Sequence, residues 1–423
     1  MAKAFIVAIL GWQVRRLQKL NSFKTIAVVG GIGKTSTKFA IANTLSSSLR
    51  VRFQEGNYND IVSVPLVFFD KPMPNLLNPL AWLKLLISNE KQINTNYPFD
   101  VVVLEIGTDG PGQIEKFGKY LNLDLTVVTA IVPEHMVYFK NLDHVATEEL
   151  SVAKFSKQLL VNSDLCQEKY LKKLDGYKTY AKNKPANYKI KDISFKENKV
   201  SLYIDKDSKD WLKVTHDSFS ELQLYSLASA SAVADVLGID KTRIKDGLAR
   251  VGSVAGRMQR LNGISSSLII DDSYNASPDA MKAALETLYR LDAPQKIALL
   301  GNMNELGKLS AEAHIEIGRL CDPKKLDVVV TLGVDANKYL AEVAEKNGCK
   351  VIRTTSPYEA GEKIAEMIRM GAVILVKGSQ NGVFAEEAIK SILKTRADVS
   401  KLVRQSEPWM SIKQKQFKQG ANS

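Results

Sequence analysis

A glycine-rich run, Gly30-Gly31-Ile32-Gly33-Lys34-Thr35-Ser36, directly follows the apolar stretch Thr25–Val29. A strand that ends in glycines lets backbone N–H groups turn inward around phosphate oxygens, and a helix N-terminus adds positive potential there. In that setting Lys34 reaches the β/γ-phosphates of a nucleoside triphosphate and the Thr35 hydroxyl ligates Mg²⁺. The complete phosphate-loop pattern asks for glycine where this chain has Val28, so the match is to the Gly-Lys-Thr core and its setting. The bland alternative is an ordinary glycine turn with an exposed lysine. The β-branched run before the loop and the helical pattern Lys38–Leu45 after it favour phosphate binding.

Two further positions carry chemistry. Glu105 ends the apolar run Val101–Leu104 and precedes Ile106-Gly107-Thr108-Asp109. At the C-terminal end of a strand beside a phosphate loop, a carboxylate can ligate Mg²⁺; it can equally be a solvated loop residue. His135, in Val132-Pro133-Glu134-His135, follows the third run, Leu125–Thr129. A lone histidine is usually structural. Three strand ends on one sheet edge would nonetheless bring these groups together.

The elements that must position them alternate. Strand-like and helix-like patterns recur up to about residue 150, including a Pro/Asn-rich crossing at Lys71–Pro79 and a helix from Leu80 to about Ser88. That alternation predicts a parallel α/β sheet. From Leu159 to Thr215 short β-type pieces predict a small β-rich insertion, and Leu222–Leu237 returns to a helix rich in small residues. After Gly256 the strands Leu268–Ile270, Lys296–Leu300, Val328–Leu332, Lys350–Arg353 and Val373–Val376 predict a Rossmann-like open sheet without a dinucleotide fingerprint. Ser277 is placed to cap the helix that starts at Pro278. The reading divides the chain into an amphipathic helix at 1–23, a nucleotide-binding domain at 24–252, a Rossmann-like domain at 253–400 and a basic tail at 401–423 with Trp409 its large apolar anchor.

Charge and cysteine usage narrow the class. Lys and Arg outnumber Asp and Glu by 58 to 46, a net charge of +12, which suits anionic ligands, nucleic acid or a membrane surface. No aromatic-rich basic recognition module is present, so nucleic acid is not an expected partner. The three cysteines, Cys166, Cys321 and Cys349, form no C-x-x-C pair, which argues against a zinc ribbon or a disulfide framework and fits a reducing cytoplasm. Ile6, Leu10, Val14 and Leu17 share one helical face, read as packing on the first domain, with peripheral membrane contact as the alternative.

Taken in order, these segments resemble the Mur ligase family. The resemblance rests on Gly30–Lys38, Gly56-Asn57-Tyr58-Asn59 with Val64-Pro65-Leu66, Leu104–Gly107 with Pro111-Gly112, Pro133-Glu134-His135, Gly256–Gln259, Asp271–Pro278 (DDSYNASP), Leu300–Met303 with Glu305-Leu306-Gly307, and Val376–Ser379. It implies a cytoplasmic, monomeric ATP-dependent amide ligase of peptidoglycan precursor synthesis. A UDP-MurNAc-tripeptide-like carboxylate would be activated as an acyl phosphate and joined to D-alanyl-D-alanine. It further implies that Gly30, Gly31, Gly33, Lys34, Thr35 and Ser36 hold ATP, while Thr35 and Glu105 ligate one Mg²⁺ and His135 serves a second. Arg257, Asp272 and Asn275 would serve the nucleotide. Asn57, Asn59, Lys377 and Ser379 would serve the other substrates.

The chain departs from that pattern at several points. Many relatives hold the second Mg²⁺ with a carbamylated lysine, and 14 residues after His135 this chain has Glu149. A glutamate there supplies a carboxylate without CO₂ capture; the alternative is a helix-surface residue. Gln223 stands where relatives place an asparagine near the adenine, and Asp60 where they have a second Asn. Little chain precedes the glycine loop, which leads to the expectation of a ligase without the usual N-terminal UDP-binding domain. Other readings are a related ligase acting on a poly-γ-glutamate or lipid-linked carboxylate, and a non-catalytic ATP-binding regulator.

Overall fold

The run Lys24–Val29 (β1) has Thr25 to Val29 all buried, as a strand covered on both faces requires. In the computed structural model, which describes residues 2–56, 58–75, 78–196, 199–217 and 220–419, β1 lies inside a parallel sheet. Its neighbours are Val101–Glu105 (β3) and Leu125–Val128 (β4), with Val51–Arg52 (β2) beyond β3. The period-2 alternation of β1 divides two cores. Ile26 and Val28 face the helices Lys34–Leu45 and Glu221–Val236, while Ala27 and Val29 join Val14, Leu17 and Phe68 on the other side.

The β-rich stretch expected as an insertion is continuous with this sheet. Leu159–Asn162 (β5), Tyr177–Ala181 (β6) and Tyr188–Lys196 (β7) extend it in parallel; Lys199–Lys206 (β8) and Lys209–His216 (β9) close it as an antiparallel meander. The polar texture arises because β7 to β9 alternate, burying Ile190, Leu202, Ile204 and Val214 while their lysines face solvent. At the N-terminus, helix Ala2–Leu20 buries Leu10, Val14 and Leu17 completely, and Gly11 lies against the Tyr120 ring, where a Cβ would come within 3.1 Å.

Chain contacts divide the molecule into Met1–Gly252 and Ser253–Ser423. The second unit is a sheet in the order β10-β11-β15-β12-β13-β14. Gln259–Asn262 (β10) is an antiparallel edge absent from the sequence reading. Leu268–Asp272 (β11), Lys296–Gly301 (β12), Val328–Leu332 (β13), Val351–Thr354 (β14) and Val373–Lys377 (β15) are parallel, as expected. Because β15 lies between β11 and β12, the loops DDSYNASP, VKGS and GNMNEL leave from adjacent strand ends.

The segment read as a basic tail is in fact anchored. Helix Glu407–Gln419 buries Lys413 with its ammonium 2.8 Å from Glu386 and 2.7 Å from Glu387, all three side chains fully buried. Trp409 meets the Phe384 ring, and Phe417 meets both Phe384 and Tyr358, so Trp409 does not act alone. Removing one member of such a group leaves an uncompensated buried charge. Lys413→Ala is therefore expected to destabilise the second unit by roughly 3–5 kcal/mol, measured by urea unfolding; a change under about 0.5 kcal/mol would show that the docking is superficial.

Candidate active site

Gly30 and Gly33 have φ of +119° and +81°, conformations that L side chains rarely adopt. A Cβ on Gly30 would also lie 2.5 Å from Thr129 Oγ1, so the loop sits tightly over the end of β4. Gly31 N–H donates to Ala130 O at 2.9 Å. Helix Lys34–Leu45 opens directly after Gly33, with no side chain capping its first N–H groups. A helix start without a side-chain cap is suited to an anion. Lys34 and Ser36 lie in its first turn, where Lys34 Nζ donates to Gly30 O at 2.5 Å and stands 3.5 Å from Glu134.

Glu105 is buried, so the solvated-loop alternative does not describe it. One carboxylate oxygen accepts from Thr35 Oγ1 at 3.2 Å and the other lies 3.3 Å from Lys38 Nζ, whose side chain is also buried. Lys38 went unassigned in the sequence reading. Its signal was present: it lies one turn beyond Lys34 and Thr35, on the same helix face.

Glu149 is not on a helix surface. It is buried, and its Oε2 accepts from Gly30 N–H at 2.8 Å. Burial pushes its carboxyl up to about 7, against the pull of the Lys34 cation, with Glu134 adding to the rise. The adjacent Glu148 accepts from the N–H groups of Gly112, Gln113 and Ile114 at 2.5–2.7 Å and so fixes the loop after β3. His135, at φ +53°, places Nε2 3.8 Å from both Asp109 and Glu134. The strand ends of β1, β3 and β4 thus meet, as anticipated.

The donor set suits Mg²⁺. Thr35 and Glu105 offer a hydroxyl and a carboxylate within hydrogen-bonding distance of each other, and Mg²⁺ completes such partial sets with water and phosphate oxygens. Among the described residues no group of three His, Cys, Asp or Glu side chains is preassembled for a metal. Asn59 lies beside the loop after β3, its carbonyl accepting from Gly107 N–H at 2.9 Å; Asn57 falls outside the described residues. Asp60 accepts from Val62 N–H and Ser63 N–H, which starts the next helix. Gln223 forms a capping box with Ser220, a local role its amide fills because it stands third in its helix.

In the second unit, Asp272, Asn275, Lys377 and Ser379 form one cluster. Lys377 Nζ donates to Asp272 Oδ2 at 2.5 Å and to Asn275 O at 2.9 Å. Ser379 Oγ donates to Ala276 O and accepts from Asn304 N–H. Arg257 stacks on Tyr274 with its guanidinium carbon 4.1 Å from the ring centre. Arg404, which the sequence reading passed over, donates to Ser273 O, Tyr274 O and both Glu386 oxygens, tying the docked C-terminal segment to DDSYNASP. Ser277 precedes the helix but makes no capping bond, and its hydroxyl is buried with no partner among the described residues.

This arrangement defines a phosphate-loop α/β protein with a second, Rossmann-like unit. The sequence profile of the Mur ligase middle domain matches residues 28–234, and that of the Mur ligase glutamate ligase domain matches 256–380. The UDP-N-acetylmuramoyl-tripeptide–D-alanyl-D-alanine ligase of Bacillus subtilis (strain 168) is 27% identical over 393 residues, covering 90% of this chain and 78% of the relative. The Escherichia coli (strain K12) protein of the same name is 23% identical, covering 87% and 76%. The crystal structure of a MurF ligase from Thermotoga maritima in complex with ADP has the same fold, with a TM-score of 0.75 and 23% identity over 93% of this chain and 84% of that one. The chain belongs to the Mur ligase family.

Asp271 gives the second unit a pH signature. It is fully buried, and desolvation, with Glu386 and Asp272 nearby, raises its carboxyl from 3.8 to about 6. The folded state then holds a proton that the unfolded state releases, so this group's contribution to stability is complete below about pH 4 and is lost as pH rises through about 6. Asp271→Asn should flatten the fall in urea midpoint across that window. An unchanged slope would contradict a protonated Asp271.

Proposed function

We propose that this chain is an ATP-dependent amide ligase of peptidoglycan precursor synthesis that joins D-alanyl-D-alanine to a UDP-MurNAc-tripeptide-type carboxylate. The observation that carries the reading is the joining of the glycine loop to Glu105 through Thr35 and Lys38, with Glu149 bonded to Gly30 beneath it. Family membership and the names of the relatives supply the reaction class and the substrates.

In this reading the substrate carboxylate attacks the γ-phosphorus of ATP, ADP leaves, and the resulting acyl phosphate is opened by the amine with release of phosphate. The protein's part is positioning and charge neutralisation. Gly33 and Ser36 offer N–H groups to phosphate oxygens. Gly30 and Gly31, whose N–H groups are taken by Glu149 and Ala130, shape the loop that receives them, and Lys34 exchanges its contacts with Gly30 O and Glu134 for phosphate. Thr35 and Glu105 would hold one Mg²⁺, with His135 and Glu149 serving a second, and metal bound there would neutralise phosphate charge. A cation beside Glu149 favours its ionised form despite burial. Arg257, Asp272 and Asn275 serve the nucleotide, and Asn57, Asn59, Lys377 and Ser379 the remaining substrates. A reaction that consumes ATP on a nucleotide-linked precursor belongs in the cytoplasm.

Phosphate release with ATP, Mg²⁺ and paired substrates tests this reading. Turnover should require both the tripeptide precursor and D-alanyl-D-alanine, and Lys34→Ala should lower kcat/KM by at least about 100-fold. Tight ATP binding with no turnover on any carboxylate and amine pair would favour a regulator instead. Glu149→Ala should raise the Mg²⁺ concentration needed for half-maximal rate; an unchanged rate and Mg²⁺ dependence would remove Glu149 from the metal site.

A further inference from the structure

The first unit exposes large apolar side chains on two neighbouring helices. Phe5 and Trp12, seven residues apart on the outer face of helix Ala2–Leu20, are 67% and 50% exposed. Leu80, Leu83 and Ile87, on the outer face of helix Pro79–Ile93, are 69%, 54% and 51% exposed. The helices are bound side by side: Gln13 donates to Leu86 O and Glu90, Asn89 donates to Gln13, and Leu10 packs with Trp82 and Leu85. The two apolar stripes therefore flank one seam. That is a patch, unlike the scattered single residues of ordinary surfaces.

Charge indicates what covers it. Helix Ala2–Leu20 contains no acidic residue and carries Lys3, Arg15, Arg16 and Lys19. The line through Phe5 and Trp12 continues to Lys19, with Arg15 beside it. These two cations line a cavity of about 760 Å³ together with Lys24, Lys154 and Lys157, and Asp124 is the one acid in its lining. An apolar wedge next to a cationic hollow matches the acyl boundary and the phosphate headgroups of an anionic bilayer. Among the described residues no helix is long and apolar enough to cross a membrane, so the fit is to a surface.

We propose that this face rests on an anionic phospholipid surface, with Phe5, Trp12, Leu83 and Ile87 entering the acyl boundary and Arg15, Lys19 and Lys157 holding headgroup phosphates. The cavity lies where β1 and β4 begin, at Lys24 and Asp124, whereas the glycine loop lies where β1 ends. Contact at one end of the sheet leaves the nucleotide loop at the other end accessible. The inference stands independently of the ligase reading, because none of its residues serves that site.

Co-sedimentation of the full chain with vesicles tests it. Vesicles of phosphatidylglycerol and phosphatidylcholine should carry the protein down, less so as salt is raised, and phosphatidylcholine alone should not. Trp12→Ser with Leu83→Ser, and separately Lys19→Glu with Lys157→Glu, should each lower partitioning at least about tenfold. Thermal unfolding and vesicle-free ATP turnover should stay unchanged in both variants. Failure of the unaltered chain to sediment with either vesicle overturns the proposal. Light scattering that shows the Trp12→Ser, Leu83→Ser change dissolving a self-associated species of a chain that ignores vesicles also overturns it, since the face would then be a protein interface.

Discussion

Lys38 and Glu105 are opposite charges buried together, 3.3 Å apart, between the helix that follows the glycine loop and the end of β3. Desolvating two ions is tolerable only when each finds the other and the remaining lone pairs are used. Here the second Glu105 oxygen takes the Thr35 hydroxyl, so the pair fixes the first turn of the helix against the sheet. The glycines upstream have little freedom left, being held by β1 on one side and this turn on the other. A phosphate cradle needs that rigidity, because its donors must already point inward when an anion arrives.

The rest of the first unit supports the same edge. Glu148 and Glu149, consecutive on one helix, bind different loops: one takes three N–H groups after β3 and the other takes Gly30. The loops after β1 and β3 are therefore anchored to a common element, and His135 brings in the loop after β4. The second unit uses the same device elsewhere. Glu386 joins Lys413 to Arg404, and Arg404 holds two carbonyls of DDSYNASP, so the docking of the last helix and the shape of that loop depend on one buried carboxylate.

Much of this was legible in the sequence, and what was missed has physical reasons. Period-2 and apolar runs located β1, β3, β4 and the five parallel strands of the second unit; in all of these but β14, a half-exposed edge strand, burial on both faces leaves little compositional choice. β10 was missed because Gln259–Asn262 is short, polar and at an edge. The β7–β9 meander read as an insertion, since composition reveals alternation but not which neighbour a strand pairs with. The site residues at strand ends were found because glycine, carboxylate and histidine stand out against apolar runs. Lys38, Glu148, Arg404 and Lys413 did not stand out. Charged residues normally face solvent, and only the fold shows that these are buried with partners. Asp272 and Asn275, expected to serve the nucleotide, and Lys377, expected to serve another substrate, also proved to be one hydrogen-bonded group, with a link between positions 105 apart in sequence.

Oxygen transfer tests the central claim, activation of a carboxylate as an acyl phosphate. The precursor tripeptide, labelled with ¹⁸O in its terminal carboxylate, is incubated with ATP, Mg²⁺, D-alanyl-D-alanine and the protein, and the released phosphate is weighed by mass spectrometry. An acyl phosphate mechanism predicts one ¹⁸O atom in each phosphate formed together with the amide. Phosphate released without label while ATP is consumed would mean that water, and not the carboxylate, attacks the nucleotide, and would contradict the account.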